Sequence, residues 1–298
     1  MHLQYDIVDV FTDRPFAGNQ LAVVHGADDL STEQCLALAR EFNFSETTFP
    51  SSQETDGSEY STRIFTPGGE IPFAGHPTLG TAWVLRQQGR LASDSVTQHC
   101  GAGPIGVRFD GDTVALSAVP RDLVGPLDGS LAAAVLGDLG LPADVLTGPV
   151  WVAGCGLSFL HVPVTDEAVV RARPSTRPLS EYAAALRVLG ATYDPVEGIN
   201  LVAVSGSAPE LTVHARVFVP GLSVSEDPAT GSAAVGLGLA LVASGLLPEG
   251  GRYDISQGLE MGRPSTLHGR VEAADGRATL CHVAGQVQPI ASGAIALP

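Results

Sequence analysis

The sequence predicts an α+β protein of two similar domains, each a mixed sheet wrapped around a central apolar helix. Three observations carry that expectation. Strand-like and helix-like patterns succeed one another without a regular βαβ order. Two long segments, "RIFTPGGEIPFAGHPTLGTAWVL" (Arg63 to Leu85) and "ARVFVPGLSVSEDPATGSAAVGLGLAL" (Ala215 to Leu241), share one layout: a strand ending in F-x-P, a loop, a polar knot, a threonine and an uncharged helix. Finally, Thr78–Leu85 and the fourteen residues Thr230–Ala243 contain no charged side chain. A helix apolar on every side is either buried or membrane-spanning, and the second falls short of the ~20 residues a bilayer needs.

The elements follow in order. Alternation predicts strands at Tyr5–Phe11 and Leu21–Val24. "STEQCLALAREF" reads as a helix, because Ser31 can cap it while Gln34 reaches back as its N3 partner. Strands are expected at Thr47–Phe49 and Tyr60–Phe65, then the first central helix from Thr78, with His76 before Pro77 and outside it. "VRFDGDTVALSAV" is a hairpin of strands Ile105–Phe109 and Thr113–Val119, with Asp110-Gly111 supplying the turn. "GAGPIG", Gly101 to Gly106, matches G-x-G-x-x-G, but Pro104 interrupts it and a strand follows, so it reads as a turn without dinucleotide chemistry.

"GLPADVLTGPV" and "RARPSTRP" are the richest breaker zones, and the domain boundary is placed near the first, in roughly 122–150. The division is residues 1–130 for a domain carrying Glu46 and His76 and 131–298 for one carrying Asp227, with the chain termini free to exchange. In the second half, helices are expected near Ser180–Leu189 and Thr230–Ala243, and strands near Asn200–Val204 and Leu211–Val219. Gly231, Gly236 and Gly238 each cost the last helix about 1 kcal/mol against alanine, tolerable if strands approach it closely.

Composition narrows the function. Sixteen basic residues against thirty-two acidic ones give a formal charge of -16, which repels phosphate backbones and anionic lipid, so neither nucleic acid nor membrane is an expected partner. The opening "MHLQYDIVDVF" alternates like a strand and has no leader pattern, which predicts a cytoplasmic protein. Cys35, Cys100, Cys155 and Cys281 lack C-x-x-C spacing and the eight histidines lack ligand spacing. No metal and no cofactor are expected.

Each apolar helix opens at a polar knot, "AGHPT" and "EDPATGS". The first N–H groups of a helix carry partial positive charge and can hold a carboxylate without lysine or arginine. Two such starts facing a cleft would bind a small organic acid; plain capping by Thr78, Thr230 and Ser232 is the competing explanation. Matching Thr78 with Thr230 sets Gly75 opposite Asp227. His76 and Asp227, each before a proline, then occupy related places; a satisfied structural histidine and an Asx-type loop cap are their ordinary readings. Glu46, in "FNFSETTFP", opens a strand. Buried there, its pKa would rise towards neutrality, as suits a group that takes and returns a proton; a solvated strand-end carboxylate is the alternative.

"DVFTDRPFAGNQLAVV", "FNFSETTFP", "FTPGGEIPFAGHPTLGTA", "EDPATGSAA" and "QGLEMGRPS", in this order, resemble PhzF-like proteins, the family named for phenazine biosynthesis. The resemblance spans nearly the whole chain. It implies the diaminopimelate-epimerase-like fold, with two barrel-like sheets, each around a central helix, and an active site in the cleft between them. It implies a cofactor-independent isomerase, with Glu46 as proton shuttle and with His76 and Asp227 binding substrate and assisting proton movement. Ser45, Gly75, Gly231 and Ser232 take substrate contacts by position, beside Thr78 and Thr230. A homodimer is implied by analogy with relatives. Gln20 stands where the family more often has proline. Gly75 and Asp227 stand where related racemases carry cysteines, which argues against a two-thiol mechanism. An amino-acid racemase or epimerase using Glu46 or Asp227, and a non-enzymatic small-acid-binding protein, are the competing functions.

Overall fold

The computed structural model describes residues 2–53, 56–179, 181, 196–220 and 225–297. The chain divides into two compact units, Met1–Ser117 with Ala284–Pro298, and Ala118–Val283. The division expected after residue 130 thus falls inside the second unit, and the last residues return to the first.

The first unit contains β1 (His2–Val10), β2 (Asn19–Val24), α1 (Thr32–Phe42), β3 (Glu46–Pro50), β4 (Glu59–Thr66), β5 (Gly69–Ile71), α2 (Gly75–Gln87), β6 (Ser95–Cys100), β7 (Gly103–Asp110) and β8 (Thr113–Ala118). It also takes the later part of β17 (Arg277–Ala296). β1 pairs antiparallel with β17 and β2, β2 runs parallel to β3, β3 antiparallel to β4 and β4 parallel to β6. β6–β7 and β7–β8 are antiparallel hairpins, and β8 pairs with β17, which closes the mixed sheet into a barrel. Helix α2 packs against β1, β2, β3 and β7 from inside. Helix α1 instead buries Cys35, Leu38 and Ala39 against Leu3, Val24, Phe49 and Phe65. Its Ser31–Gln34 capping box forms as the sequence predicts, and Asn43, left-handed at φ 53°, ends it.

The second unit contains β9 (Asp122–Val124), α3 (Gly129–Asp138), β10 (Trp151–Gly154), β11 (Ser158–Pro163), α4 (Asp166–Arg171), β12 (Val196–Ser207), β13 (Glu210–Phe218), β14 (Glu226–Asp227), α5 (Gly231–Ala243), β15 (Gly250–Gln257) and β16 (Ser265–Ala274). β9, β10, β11, β12, β13, β15 and β16 pair in that order, with β11–β12 and β13–β15 parallel and the rest antiparallel. Helix α5 packs on β10, β11 and β16. Its Val235, Leu237, Leu239, Leu241 and Val242 are all buried, each contributing about 1.5–3 kcal/mol over exposure.

Close approach explains the glycines of α5. A Cβ on Gly236 would lie 2.8 Å from the Ala153 carbonyl oxygen, and one on Gly238 would lie 2.7 Å from the Tyr253 hydroxyl. The fold is therefore the α+β, barrel-around-helix arrangement expected from the two uncharged segments.

Several local expectations differ. The breaker-rich zone of 122–150 holds β9 and α3, because Asp128 caps Ser130 N–H and Ala132, Val135 and Leu136 face the outer core. The expected helix Ser180–Leu189 lies, Glu181 aside, outside the described residues. The first central helix begins at Gly75, a turn before Thr78, so His76 lies inside it. Pro77 allows this because the first-turn N–H groups have no intrahelical partner to lose. Among the described residues, no helix is long and apolar enough to cross a membrane.

Candidate active site

In the first unit, Glu46 opens β3 in parallel register with Leu21 of β2, after the bend that carries the half-buried Ser45. Its side chain keeps 16 % of its surface, and His76, in the first turn of α2, keeps 5 %. His76 Nε2 stands 3.5 Å from Glu46 Oε2 and 3.3 Å from the Gln20 carbonyl oxygen. On the opposite edge of the ring, Nδ1 stands 3.3 Å from the Asn19 side-chain nitrogen. Burial pushes the His76 imidazole down to about 3, against a smaller upward pull from the Gln20 carbonyl. The ring is therefore neutral throughout the physiological range. Glu46 sits neither in bulk water nor in a sealed core; a nearly enclosed imidazole borders a partly exposed carboxylate.

Gly75 and Thr78 are buried beside it, but Thr78 is occupied. Its hydroxyl donates to the Ala74 carbonyl at 2.8 Å and accepts from Gln98 Nε2 at 2.9 Å. The Tyr60 hydroxyl then donates to Gln98 Oε1 at 2.8 Å. Thr78 neither caps the helix nor turns its hydroxyl outward. The N-cap is Ala74, which has no side chain to offer.

In the second unit, Asp227 ends β14, and its Oδ2 accepts from the Thr230 hydroxyl at 2.6 Å. Gln257, 2 % exposed at the end of β15, donates from Nε2 to the Asp227 carbonyl at 2.8 Å and to Thr230 Oγ1 at 3.0 Å. Its Oε1 accepts from the Thr230 N–H at 3.2 Å. Thr230 is the N-cap of α5 but makes no side-chain cap bond, and Gly231 (buried) and Ser232 (half-buried) form the first turn. Aligned by helix starts, Gly75 corresponds to Gly231 and His76 to Ser232. The expected pairing of Thr78 with Thr230, and of Gly75 with Asp227, is displaced by about one turn.

What the duplicated segments do share lies nearby. Arg63 grips Glu70 through two bonds of 2.8 and 2.7 Å and lies over the Phe65 ring at 5.0 Å. Arg216 grips Glu226 through two bonds of 2.8 Å and lies over Phe218 at 4.8 Å. R-x-F-x-P followed by a glutamate is thus a repeated clamp that fixes the strand leading into each central helix. In the second unit, Arg216 also donates to the Val169 and Ala172 carbonyls, at 3.1 and 2.7 Å, and Glu226 directly precedes Asp227.

Sequence reasoning missed Asn19, Gln98 and Gln257 as contributors. Two were in plain view: Asn19 in "FAGNQ" and Gln257 at the head of "QGLEMGRPS". A glutamine in the strand following each apolar helix was the available signal.

A sequence profile of phenazine biosynthesis-like proteins matches residues 8–293. The chain is 35% identical over 295 residues to trans-2,3-dihydro-3-hydroxyanthranilate isomerase of Pseudomonas aeruginosa, covering 98% of this chain and 99% of that protein. A solved structure from the same organism, described as a predicted epimerase, is similar at 31% identity and TM-score 0.78, over 99% of this chain and 100% of that one. A phenazine biosynthesis protein of the PhzF family from Bacillus anthracis shares the fold at TM-score 0.83 and 21% identity, each chain covered completely.

Proposed function

Since the chain belongs to the phenazine biosynthesis-like protein family, we propose that it is an isomerase that moves a proton between two carbons of a small cyclic or diene carboxylic acid, without a cofactor. Glu46 is the acid and base. The observation that carries this reading is the Glu46–His76 juxtaposition, 3.5 Å apart and largely enclosed within one unit.

The Glu46 carboxylate takes a proton from a substrate carbon, and the electrons of that C–H bond move along the conjugated system. The neutral carboxyl then returns the same proton to a second carbon on the same face. The enol so formed becomes a ketone. Little water reaches Glu46, so the proton stays with the pair instead of exchanging away at once. Developing negative charge would be met by N–H groups at the first turn of α2, where no side chain caps the helix. Asp227, held by Thr230 and Gln257, is assigned a supporting role in binding the substrate.

The test is turnover of trans-2,3-dihydro-3-hydroxyanthranilate in deuterated water, followed by proton NMR. Glu46→Gln should lower turnover at least about 10²-fold, while calorimetric binding of the substrate persists. Undiminished turnover in that variant overturns the assignment. Deuterium appearing at a stereocentre without a double-bond shift would replace isomerisation by epimerisation.

A further inference from the structure

Asn19 is 1 % exposed at the first residue of β2, and the proton transfer above gives it no task. The polar surroundings of His76 supply one. Two oxygens face its Nε2, the Gln20 carbonyl at 3.3 Å and Glu46 Oε2 at 3.5 Å. A carbonyl and a carboxylate can only accept, so the ring rests there comfortably only with a hydrogen on Nε2. In a neutral imidazole Nδ1 is then the acceptor and needs a donor. The Asn19 amide nitrogen, 3.3 Å away, is that donor.

We propose that Asn19 is a positioning residue for the reaction: by donating to His76 Nδ1 it locks the ring in its Nε2–H tautomer, so that a neutral N–H, not a bare lone pair, faces Glu46. The proposal rests on the reading of Glu46 as acid and base. Its chemical consequence is directional. A bare nitrogen 3.5 Å from the carboxylate would set lone pair against lone pair and favour protonated Glu46, which could not accept a proton. The N–H instead supports the anion that must do so. His76 is then a fixed donor, with its proton retained throughout, and is not a second base.

The second unit holds a buried histidine in the same two-ended grip. His161 Nδ1 stands 3.0 Å from the Asn200 amide nitrogen, and its Nε2 stands 3.2 Å from the Ala153 carbonyl oxygen. Both side chains are buried. An asparagine on Nδ1 and a carbonyl on Nε2 is thus a general means of holding a neutral ring in this molecule. The first unit adds a carboxylate to the carbonyl side.

Long-range proton–nitrogen NMR of the full chain, labelled at histidine nitrogen and assigned with His76→Gln, tests this directly. The wild type should show a protonated Nε2 and a bare Nδ1 for His76, unchanged between about pH 5 and 8. Asn19→Asp offers an acceptor in place of the donor. It should move a hydrogen onto Nδ1 and lower turnover of trans-2,3-dihydro-3-hydroxyanthranilate at least about 10²-fold, since the wrong tautomer disables a positioned imidazole. Should that variant fail to fold, the wild-type spectrum alone decides: an Nδ1–H tautomer there overturns the proposal. The two readings fail separately. An active Glu46→Gln removes the acid–base assignment while leaving the tautomer in place, whereas an inactive Glu46→Gln with Nδ1–H on His76 removes only the role of Asn19.

Discussion

Acidification should weaken the fold through two histidines, and the amount can be worked from their surroundings. Burial holds His76 at about 3 and His161 at about 4, against about 6.5 in an unfolded chain. Below that value the unfolded state binds two protons that the folded state refuses, so the contribution is complete above about pH 6.5 and is lost as pH falls towards the folded values. Between about pH 7.5 and 4.5 linkage gives a loss of roughly 2–3 kcal/mol per ring, about 5 kcal/mol for both. That matches the lower end of ordinary domain stability, ~5–15 kcal/mol. The perturbation is His161→Gln, whose amide can still donate towards the Ala153 carbonyl and accept from Asn200. Urea unfolding at both pH values, for wild type and variant, isolates the one ring, because distant titrating groups cancel in the difference. The wild type should lose about 2–3 kcal/mol more than the variant. Equal losses would refute the claim that burial keeps His161 neutral.

Further outcomes follow from packing. Gly269→Ala would set a Cβ 2.1 Å from the Tyr253 ring, its cross-strand partner, and should cost at least about 1–3 kcal/mol in urea unfolding. Glu226→Gln strips the bidentate counter-charge from Arg216, which is 6 % exposed, leaving it only Glu260 at 3.9 Å among the described residues, and should cost about 3 kcal/mol. Glu70→Gln, at the exposed twin of that clamp, should cost under about 1 kcal/mol by the same measurement. Gln257→Leu leaves the Thr230 N–H and the Asp227 carbonyl without their present partner and should lower stability by roughly 1–3 kcal/mol, read as a lower melting temperature.

The legible parts of this fold were those whose signal is local. An apolar stretch without charge reports burial directly, so both central helices were readable, as were the Ser31 capping box and the hairpin flanking Gly111. That hairpin pairs Asp110 with Thr113, so its turn is Gly111-Asp112, one residue later than the Asp110-Gly111 expected from the sequence. The first helix start was misplaced because Pro77 reads as a breaker in sequence, although at N3 it costs nothing. α3 was hidden by weak amphipathicity among glycines and alanines, and its burial depends on β10–β12, which are distant in sequence. At the site, Glu46 and His76 were named singly from short motifs, and their proximity within one unit is what the fold adds. Asn19 and Gln98 were visible as residues, but which ring nitrogen or hydroxyl each amide reaches is set only by the fold.

Strand register within each unit shows where the two halves of the duplication part. On β3, Glu46 precedes Thr47, which pairs with Phe65; on β12, Gly198 precedes Ile199, which pairs with Phe218. Phe65 and Phe218 are the equivalent rings beneath the two arginine clamps, so Gly198 is the register counterpart of Glu46. That place cannot hold a second carboxylate. A Cβ on Gly198 would lie 2.7 Å from the Phe218 carbonyl oxygen and 3.1 Å from the Phe159 ring, so any side chain would force the strands apart. The duplicated scaffold therefore keeps the clamp and the apolar helix in both halves but admits the enclosed acid in one. The two halves of the duplication thus part at this one strand position, where the close approach of Phe218 and Phe159 leaves room for a glycine alone.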